Sequence, residues 1–424
     1  MRLLPRSKKG TTKQRRGRGK YKELLCGMKI LITSDWYAPA VNGVVTSVLN
    51  LQHELEKRGH DVRVLTLSNT HETYWDGNVL YLGSVDANKV YPGARLRSCL
   101  GRQAVRQLVA WKPDVVHSQC EFSTFILARQ IAAAVHAPLI HTYHTVYEDY
   151  THYFSPNREC GRWLAAMFSR IVIDHTSCVI APTQKVKELL LSYHVARPVQ
   201  VIPTGIDLSR FTAPAPAERS RALKEKLGIP LSNRVLVYVG RLAKEKNLNM
   251  LLDCCAGLEK NVTLLLVGGG PERRHLEAQA KALGLAENVV FAGMAAPEQV
   301  ADYYRLGDIF VSASSSETQG LTYIEALAAG LPAVCRADPC LSGVIENGSN
   351  GWQFHTGEEL RRYVSLLLGE PELRHAMARS AAQSAQKFSA AAFARAAERL
   401  YCAEIWRNGG EADLQDIEQL GEIV

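Results

Sequence analysis

This 424-residue chain has no apolar run near the roughly eighteen residues of a membrane-spanning helix; runs such as residues 131–135 are broken quickly. Its first residues are too basic, and too short of an apolar core, to read as a secretory signal. The ten cysteines contain no C-x-x-C and no His/Cys cluster at metal-ligand spacing, and adjacent Cys254 and Cys255 suit neither a disulfide scaffold nor a zinc site. Reduced, mostly buried thiols in a cytoplasmic protein are the expectation. Net charge is also scarce once the start is set aside. Residues 1–27 hold ten Lys/Arg and one acid, giving +9, and 40 bases against 41 acids remain elsewhere. The overall +8 therefore says little about partners of the globular part, and no specific nucleic-acid partner is expected. The tail reads as a polyanion-binding arm, a disordered extension, or residues upstream of the natural start, since MKILI at 28–32 looks like an opening strand. The two blander readings are the expected ones.

What the sequence does have is alternation. A chain of this length exceeds one ordinary core, so two domains are expected. Residues 30–34 read as a strand, followed by the loop DWYAPAVNG and a helix over 44–58 with Val48, Leu51 and Leu55 as its buried stripe. Residues 61–67, 114–117 and 139–142 read as further strands, with a helix over 125–135. After a strand at 199–202 and a polar connector over 208–232, the pattern restarts with strands at 234–239, 262–267, 289–292, 309–312 and 333–335. Such alternation predicts two doubly wound parallel sheets in tandem with a cleft between them. Ligands of these sheets sit beyond the carboxyl ends of the strands, so strand-end loops are where chemistry is to be sought.

Four such loops stand out. Asn42-Gly43 precedes the first helix, where glycine lets a ligand approach the backbone, although N-G is also a common turn. GRLAKEKN sets Arg241 and Lys246 five residues apart just beyond a strand. A planar fork and a mobile point charge together suit a diphosphate, the alternative being a plain basic surface pair. VGGGP at 267–271 is no G-x-G-x-x-G, but Gly269 permits close backbone approach. ETQGLTYIE at 317–325 leaves a strand through a polar loop and enters a helix at Gly320 or Leu321. Amides at Gly320, Leu321 and Thr322 can bind an anion there. The carboxylates of Glu317 and Glu325 can accept hydrogen bonds from vicinal hydroxyls. An anion site flanked by two hydroxyl acceptors is what a nucleotide sugar requires. A glycosidase pair would have to face across a bond, for which a loop and its own helix are poorly arranged. A metal reading lacks a D-x-D and a nearby His.

As a set, ETQGLTYIE, GRLAKEKN, IPTGID (202–207), VGGGP and IENGSNGWQF (345–354) resemble, in order and spacing, the retaining glycosyltransferases of GT-B fold. The resemblance spans about residues 28 to 354. It implies an α/β protein with two Rossmann-like domains facing a central cleft: a basic extension over 1–27, an acceptor domain over 28–205, a nucleotide-sugar domain over 206–388, and a helical segment over 389–424 crossing back to the first domain. It also implies roles. Glu325 would bind the donor ribose, Glu317 the transferred hexose, Arg241 and Lys246 the diphosphate, and Gly43 would approach the phosphates or the hexose. No metal or other cofactor is implied, since cationic side chains and a helix N-terminus would stabilise the departing diphosphate.

HTYHTVYEDYTHY (141–153), together with SDWYAPAVNGVVTSVLNL, resembles more narrowly the diacylglycerol glucosyltransferases, the monoglucosyldiacylglycerol synthases. This implies transfer of glucose from UDP-glucose to 1,2-diacylglycerol, with His144 beside the donor hexose; a satisfied structural histidine is the blander reading. Tyr147 and Glu148 would shape the acceptor mouth. A different lipid-linked or soluble acceptor stays open, as does a non-catalytic nucleotide-sugar-binding module. With no nucleophile placed opposite the leaving group, front-face attack is the working mechanism. A lipid acceptor implies a cytoplasmic enzyme, peripheral on the inner face of the cell membrane. Residues 95–112 are the expected contact with an anionic membrane surface. Residues 87–113 hold six bases and no acid, and on a helical wheel Arg95, Arg102 and Arg106 oppose Leu96, Leu100, Ala104, Leu108 and Trp111. The alternative is the outward face of a helix packed on its own sheet.

Overall fold

The computed structural model describes residues 27–40, 42–86, 95–97, 102–148, 157–213, 216–314 and 317–409. The basic tail 1–26, part of the 95–112 segment and part of the histidine loop lie outside them. The chain divides into two units, one built from the chain up to Pro182, Val186–Gly205 and the segment from Phe393 onward, the other from Thr183–Lys185 and Ile206–Ala392.

In the N-terminal unit, short apolar runs form strands buried on both faces, as a parallel sheet covered by helices requires. The strands are β1 (Lys29–Thr33), β2 (Asp61–Leu67), β3 (Tyr74–Asp76), β4 (Val79–Leu82), β5 (Ser84–Asp86), β6 (Arg95–Arg97), β7 (Val115–Ser118), β8 (Leu139–Thr142), β9 (Cys178–Ala181) and β10 (Val199–Val201). The helices are α1 (Gly43–Lys57), α2 (Arg102–Trp111), α3 (Ser123–Val135), α4 (Arg158–Ile173) and α5 (Gln184–Ser192). The main sheet runs β10-β9-β8-β7-β1-β2-β4-β3, parallel except for the β3 edge, while β5 and β6 pair separately. Alternate residues of β1 serve opposite layers. Ile30 and Ile32 pack with Val48, Leu51 and Leu55 of α1, whereas Leu31 packs with Leu108, Trp111, Phe125 and Leu127.

The first of those layers is completed from the far end of the sequence. Phe393, Ala394, Ala397, Tyr401 and Cys402 of the final helix lie in the same cluster as Ile30 and Ile32. Polar contacts pin the helix there. His60 Nδ1 accepts from the Met28 amide at 3.2 Å, so its Nε2 carries the proton and donates to Glu398 Oε1 at 3.0 Å. The Arg58 guanidinium donates to the other oxygen of Glu398.

The C-terminal unit is one six-stranded parallel sheet, β13-β12-β11-β14-β15-β16. Its strands are β11 (Arg234–Val239), β12 (Val262–Val267), β13 (Val289–Gly293), β14 (Ile309–Ser312), β15 (Ala333–Arg336) and β16 (Gly351–Phe354). Helices α6 (Ala217–Lys226), α7 (Leu248–Cys255), α8 (Arg273–Ala282), α9 (Val300–Arg305), α10 (Leu321–Ala328), α11 (Gly357–Gly369) and α12 (Pro371–Ala385) follow in order, and the final helix, α13 (Ala390–Asn408), belongs to the N-terminal unit from Phe393 onward. Val235 and Val237 face one apolar layer and Leu236 and Tyr238 the other.

The polar connector over 208–232 contains the helix α6, whose residues are largely exposed and leave no apolar stripe to read. One expectation is corrected. The basic helix over 95–112 is not continuous. Arg95 lies in β6, paired to β5, and its guanidinium is tied to Ser68 O, Asn69 O and Ser84. Helix α2 begins only at Arg102, and its apolar face is already used: Leu108 is fully buried, and Trp111 donates to Asp61 beneath the Arg63 guanidinium. Leu108 and Trp111 therefore serve the core of the N-terminal unit, while Arg102 and Arg106 stay exposed.

Among the described residues all eight cysteines are free, and seven are buried. No described helix is long and apolar enough to cross a membrane.

Candidate active site

Each sheet has one place where strand order reverses. In the C-terminal unit β11 lies between β12 and β14, and in the N-terminal unit β1 lies between β2 and β7. Helices diverge there, leaving a crevice at the carboxyl ends of the strands. The singled-out residues cluster at these two points.

In the C-terminal unit, the loops after β11 and β14 meet through their side chains. Lys246 closes a single 3-10 turn (Lys244–Lys246) and donates to Glu317 Oε1 at 2.6 Å and to Ser314 Oγ at 3.4 Å. The two side chains are 17% and 19% exposed, so the pair is fixed in place yet open on one side. Lys185 donates to Glu317 O at 3.2 Å and to both oxygens of Asp338, at 2.9 and 3.1 Å, which holds the Glu317 loop from behind. Sequence reasoning missed Lys185, because nothing local marks a residue 132 positions from its partner. Arg241 is exposed at the same strand end.

Helix α10 starts at Leu321 behind Gly320, which sits at φ +71° and is not capped by any side chain. The amides of Leu321 and Thr322 thus begin an uncapped helix, the arrangement that suits an anion. Glu325 lies one turn further on. Burial pushes its carboxyl up to about 7, against the hydrogen bond it accepts from Tyr304 at 2.9 Å.

The VGGGP loop also packs closely against its neighbours. Gly268, at φ +140°, would place a Cβ 1.9 Å from Gly240 O, so its bareness serves packing between strand-end loops. Those loops are stitched by Gly268 N to Gly293 O and Leu242 N to Gly269 O. A Cβ at Gly269 would meet Met294, 3.0 Å away and 87% exposed. Met294 also escaped the sequence reading; its polarizable thioether gives the rim a flat apolar surface.

In the N-terminal unit, His144 follows β8. Its Nε2 lies 2.6 Å from Gln119 Oε1, and a carbonyl oxygen only accepts, so Nε2 carries the proton. The amide nitrogen of Gln119 is 3.1 and 3.3 Å from the two ring nitrogens of His117, hence against the ring face. The His117 ring is held edge-on by Tyr401 Oη at 2.6 Å and Thr142 Oγ1 at 2.7 Å. Burial lowers His144 to about 4, partly opposed by the nearby Glu121 charge. His144 is therefore a neutral imidazole that presents Nδ1 as an acceptor.

Two carboxylates join it that sequence reasoning overlooked. Asp35, just past β1, accepts from Thr124 N at 2.8 Å at the start of the helix that follows the neighbouring strand β7, and burial raises it to about 6. Glu121, just past β7, accepts from Tyr147 Oη at 2.8 Å and lies 3.3 Å from His141 Nε2. Both are strand-end carboxylates, so the rule that selected Glu317 would have selected them. Gly43 is the exposed first residue of α1. Asn42 caps that helix by accepting from Val45 N at 2.9 Å, so the N-G pair is a helix start and not merely a turn.

Two Rossmann-like sheets with a cation–carboxylate pair at one switch point and a neutral histidine at the other define the class of GT-B glycosyltransferases. The comparisons with known proteins agree. Residues 41–210 match Glycosyltransferase Family 4, and residues 219–384 match Glycosyl transferases group 1. The chain is 33% identical to the alpha-monoglucosyldiacylglycerol synthase of Streptococcus pneumoniae, covering 91% of this chain and 88% of that protein. It is also 33% identical to the enzyme of the same name from Acholeplasma laidlawii, covering 90% of this chain and 98% of that protein. The solved structure of HepE from Anabaena in complex with UDP and glucose superposes with a TM-score of 0.69 at 20% identity, covering 88% of this chain and 99% of that one. The chain belongs to the glycosyltransferase family that contains the alpha-monoglucosyldiacylglycerol synthases.

Proposed function

We propose that this enzyme transfers glucose from UDP-glucose to 1,2-diacylglycerol with retention, forming alpha-monoglucosyldiacylglycerol at a membrane surface. The observation that carries the proposal is near-full-length similarity, at 33% identity, to two synthases named for that product. In this reading Lys246 and Arg241 face the diphosphate, and the α10 N-terminus at Gly320, Leu321 and Thr322 takes a phosphate oxygen. Glu317 accepts from hexose hydroxyls while Lys246 keeps its carboxylate in position. Glu325 accepts from the ribose diol, and Met294 beside Gly269 offers its apolar surface to the base. His144 Nδ1 accepts from a hexose hydroxyl, and Gly43 lies at the α1 start. These groups stabilise charge on the departing diphosphate without a further cofactor. The C1–O bond to the β-phosphate breaks with its electron pair on the phosphate oxygen. The diacylglycerol hydroxyl bonds to C1 from the same face and passes its proton to that phosphate oxygen.

The test supplies purified protein with labelled UDP-glucose and diacylglycerol vesicles, with a soluble inositol phosphate as the competing acceptor. A labelled glycolipid whose anomeric proton shows the small α coupling is expected. UDP release without labelled lipid removes diacylglycerol as the acceptor, and a β coupling removes retention.

A further inference from the structure

We infer that the N-terminal unit holds a second ligand site, a cavity at the amino ends of β8 and β9 that takes a small organic phosphate. His144 follows the carboxyl end of β8, whereas Leu139, which opens the same strand, lines the cavity. The two sites therefore lie at opposite strand ends, and this one does not depend on the proposed reaction. Its volume is about 410 Å³, within the range of small-molecule sites.

The lining combines two chemistries. Ala132, Ala133, Ala137 and Leu139 supply short apolar side chains that leave the space open. Beside them stand Arg129 of α3, His175 just past α4, Arg197 ahead of β10 and Arg407 near the end of α13. Glu404 is the one acid among the described lining residues; it is buried, and Arg407 donates to it. Three guanidiniums against one carboxylate leave +2, which the dianion of a phosphate monoester matches. The space exceeds what inorganic phosphate fills, and the alanines suit a short carbon body.

Helix ends account for only part of this cluster. Three helices finish here, and cations are at home beside their last carbonyls. His175 Nδ1 donates to Ile171 O at 2.7 Å, Arg197 Nη2 to Asp174 O at 3.0 Å, and Asn408 to His136 O at 2.6 Å. Those carbonyls are thus satisfied within the chain. Arg129 is different: it lies in the middle of α3, and among the described residues no hydrogen bond or ion pair holds its guanidinium. Arg197 keeps Nη1, and Arg407 keeps Nε and Nη2, uncommitted to any described residue. Ser177 Oγ accepts from Leu139 N at 3.2 Å and retains its own proton to donate. Donors left over from three elements around one space are what a phosphate group consumes.

The test titrates glycerol 3-phosphate into the full chain by calorimetry, with inorganic phosphate and glycerol as its separate halves. One site is expected, tightest for the ester. Arg129→Gln should weaken it about 10-fold. Ala133→Leu, which adds bulk to the lining without altering charge, should reduce binding below detection. Both positions are exposed, so both variants should melt with wild type in phosphate-free buffer. Lys246→Met, in the other unit, should bind the ester as wild type does. Loss in Lys246→Met with retention in Arg129→Gln overturns the inference, because the phosphate would then sit in the loop after β11. No heat at about 10 mM ester, or equal affinity for glycerol, also overturns it. So does binding that appears only when the acids at 411, 413, 416, 418 and 422 become amides, since the chain's own end would then be the occupant. Binding to phosphatidic acid in vesicles without binding of the soluble ester overturns it as well, by making the occupant a headgroup.

Discussion

A carboxyl held near 7 by burial, as Glu325 is, binds its proton more tightly in the folded chain than in the unfolded one, where it titrates near 4.5. Between those values only the unfolded chain has released the proton, so this group's contribution to stability falls as pH rises through the window, by about 3 kcal/mol in total. Glu325→Gln has no such loss. Its melting temperature should therefore rise relative to wild type between pH 5 and pH 8, and parallel profiles would contradict the burial argument. The same variant should bind the nucleotide sugar about 10-fold more weakly at pH 8, where only the carboxylate accepts strongly from a diol. At His144 the constraint is orientation. Gln119→Leu removes the acceptor for Nε2–H and frees the ring, so kcat should fall about 10- to 100-fold with little change in donor KM. The ¹⁵N shifts of His144 should then report mixed tautomers, whereas a merely structural Gln119 would leave them alone. Several such side chains were legible in the sequence because they stand at strand ends in short motifs. Asp35 and Glu121 also stand at strand ends and were overlooked, whereas Lys185 and Gln119 were not legible, since each is defined by partners that only the sheet brings near.

Among elements, strands read well wherever an apolar run was long enough to be buried on both faces: β2, β8, β11, β12 and β14 have the bounds expected from the sequence. Of the four three-residue strands, β3, β5 and β6 show no period and were not read, whereas β10 was read as part of an apolar run over 199–202. The basic segment shows how a wheel can mislead. Arg95 fell on the same arc as Arg102 and Arg106, but the chain turns through a strand between them, and no helix carries all three. Helix α13 shows the opposite limit, for its inward face could not reveal what it would pack on. Glu398 is nearly buried between Arg58 and fully buried His60. Glu398→Ala should cost about 3 kcal/mol, because Arg58 loses its counter-charge and the His60 N–H its acceptor. Thermal unfolding checks this, and a melting temperature within a degree of wild type would mean the contact is dispensable.

At the scale of the molecule, the order of motifs along the chain was the most legible property, since each sheet repeats the same rule of strand, loop and helix. That the N-terminal unit is discontinuous was not legible in the residues themselves; the expectation that residues 389–424 cross back to it came only from the resemblance. The unit's sheet is laid down by residues 29–201, yet one of its apolar layers is finished by Phe393, Ala397 and Tyr401. The first half of the chain therefore does not hold all of its own core. Residues 27–205 expressed alone should leave Ile30, Ile32, Val62 and Val64 partly uncovered, bind a hydrophobic dye and melt without a cooperative transition. Joining residues 390–409 to that fragment through a flexible linker should restore cooperative melting. It should also restore the Tyr401 contact to His117, and with it the order of the His144 cluster. A cooperative transition in the shorter fragment would show that the final helix rests on a core complete without it, and that the His117–Tyr401 bond adds position but not stability.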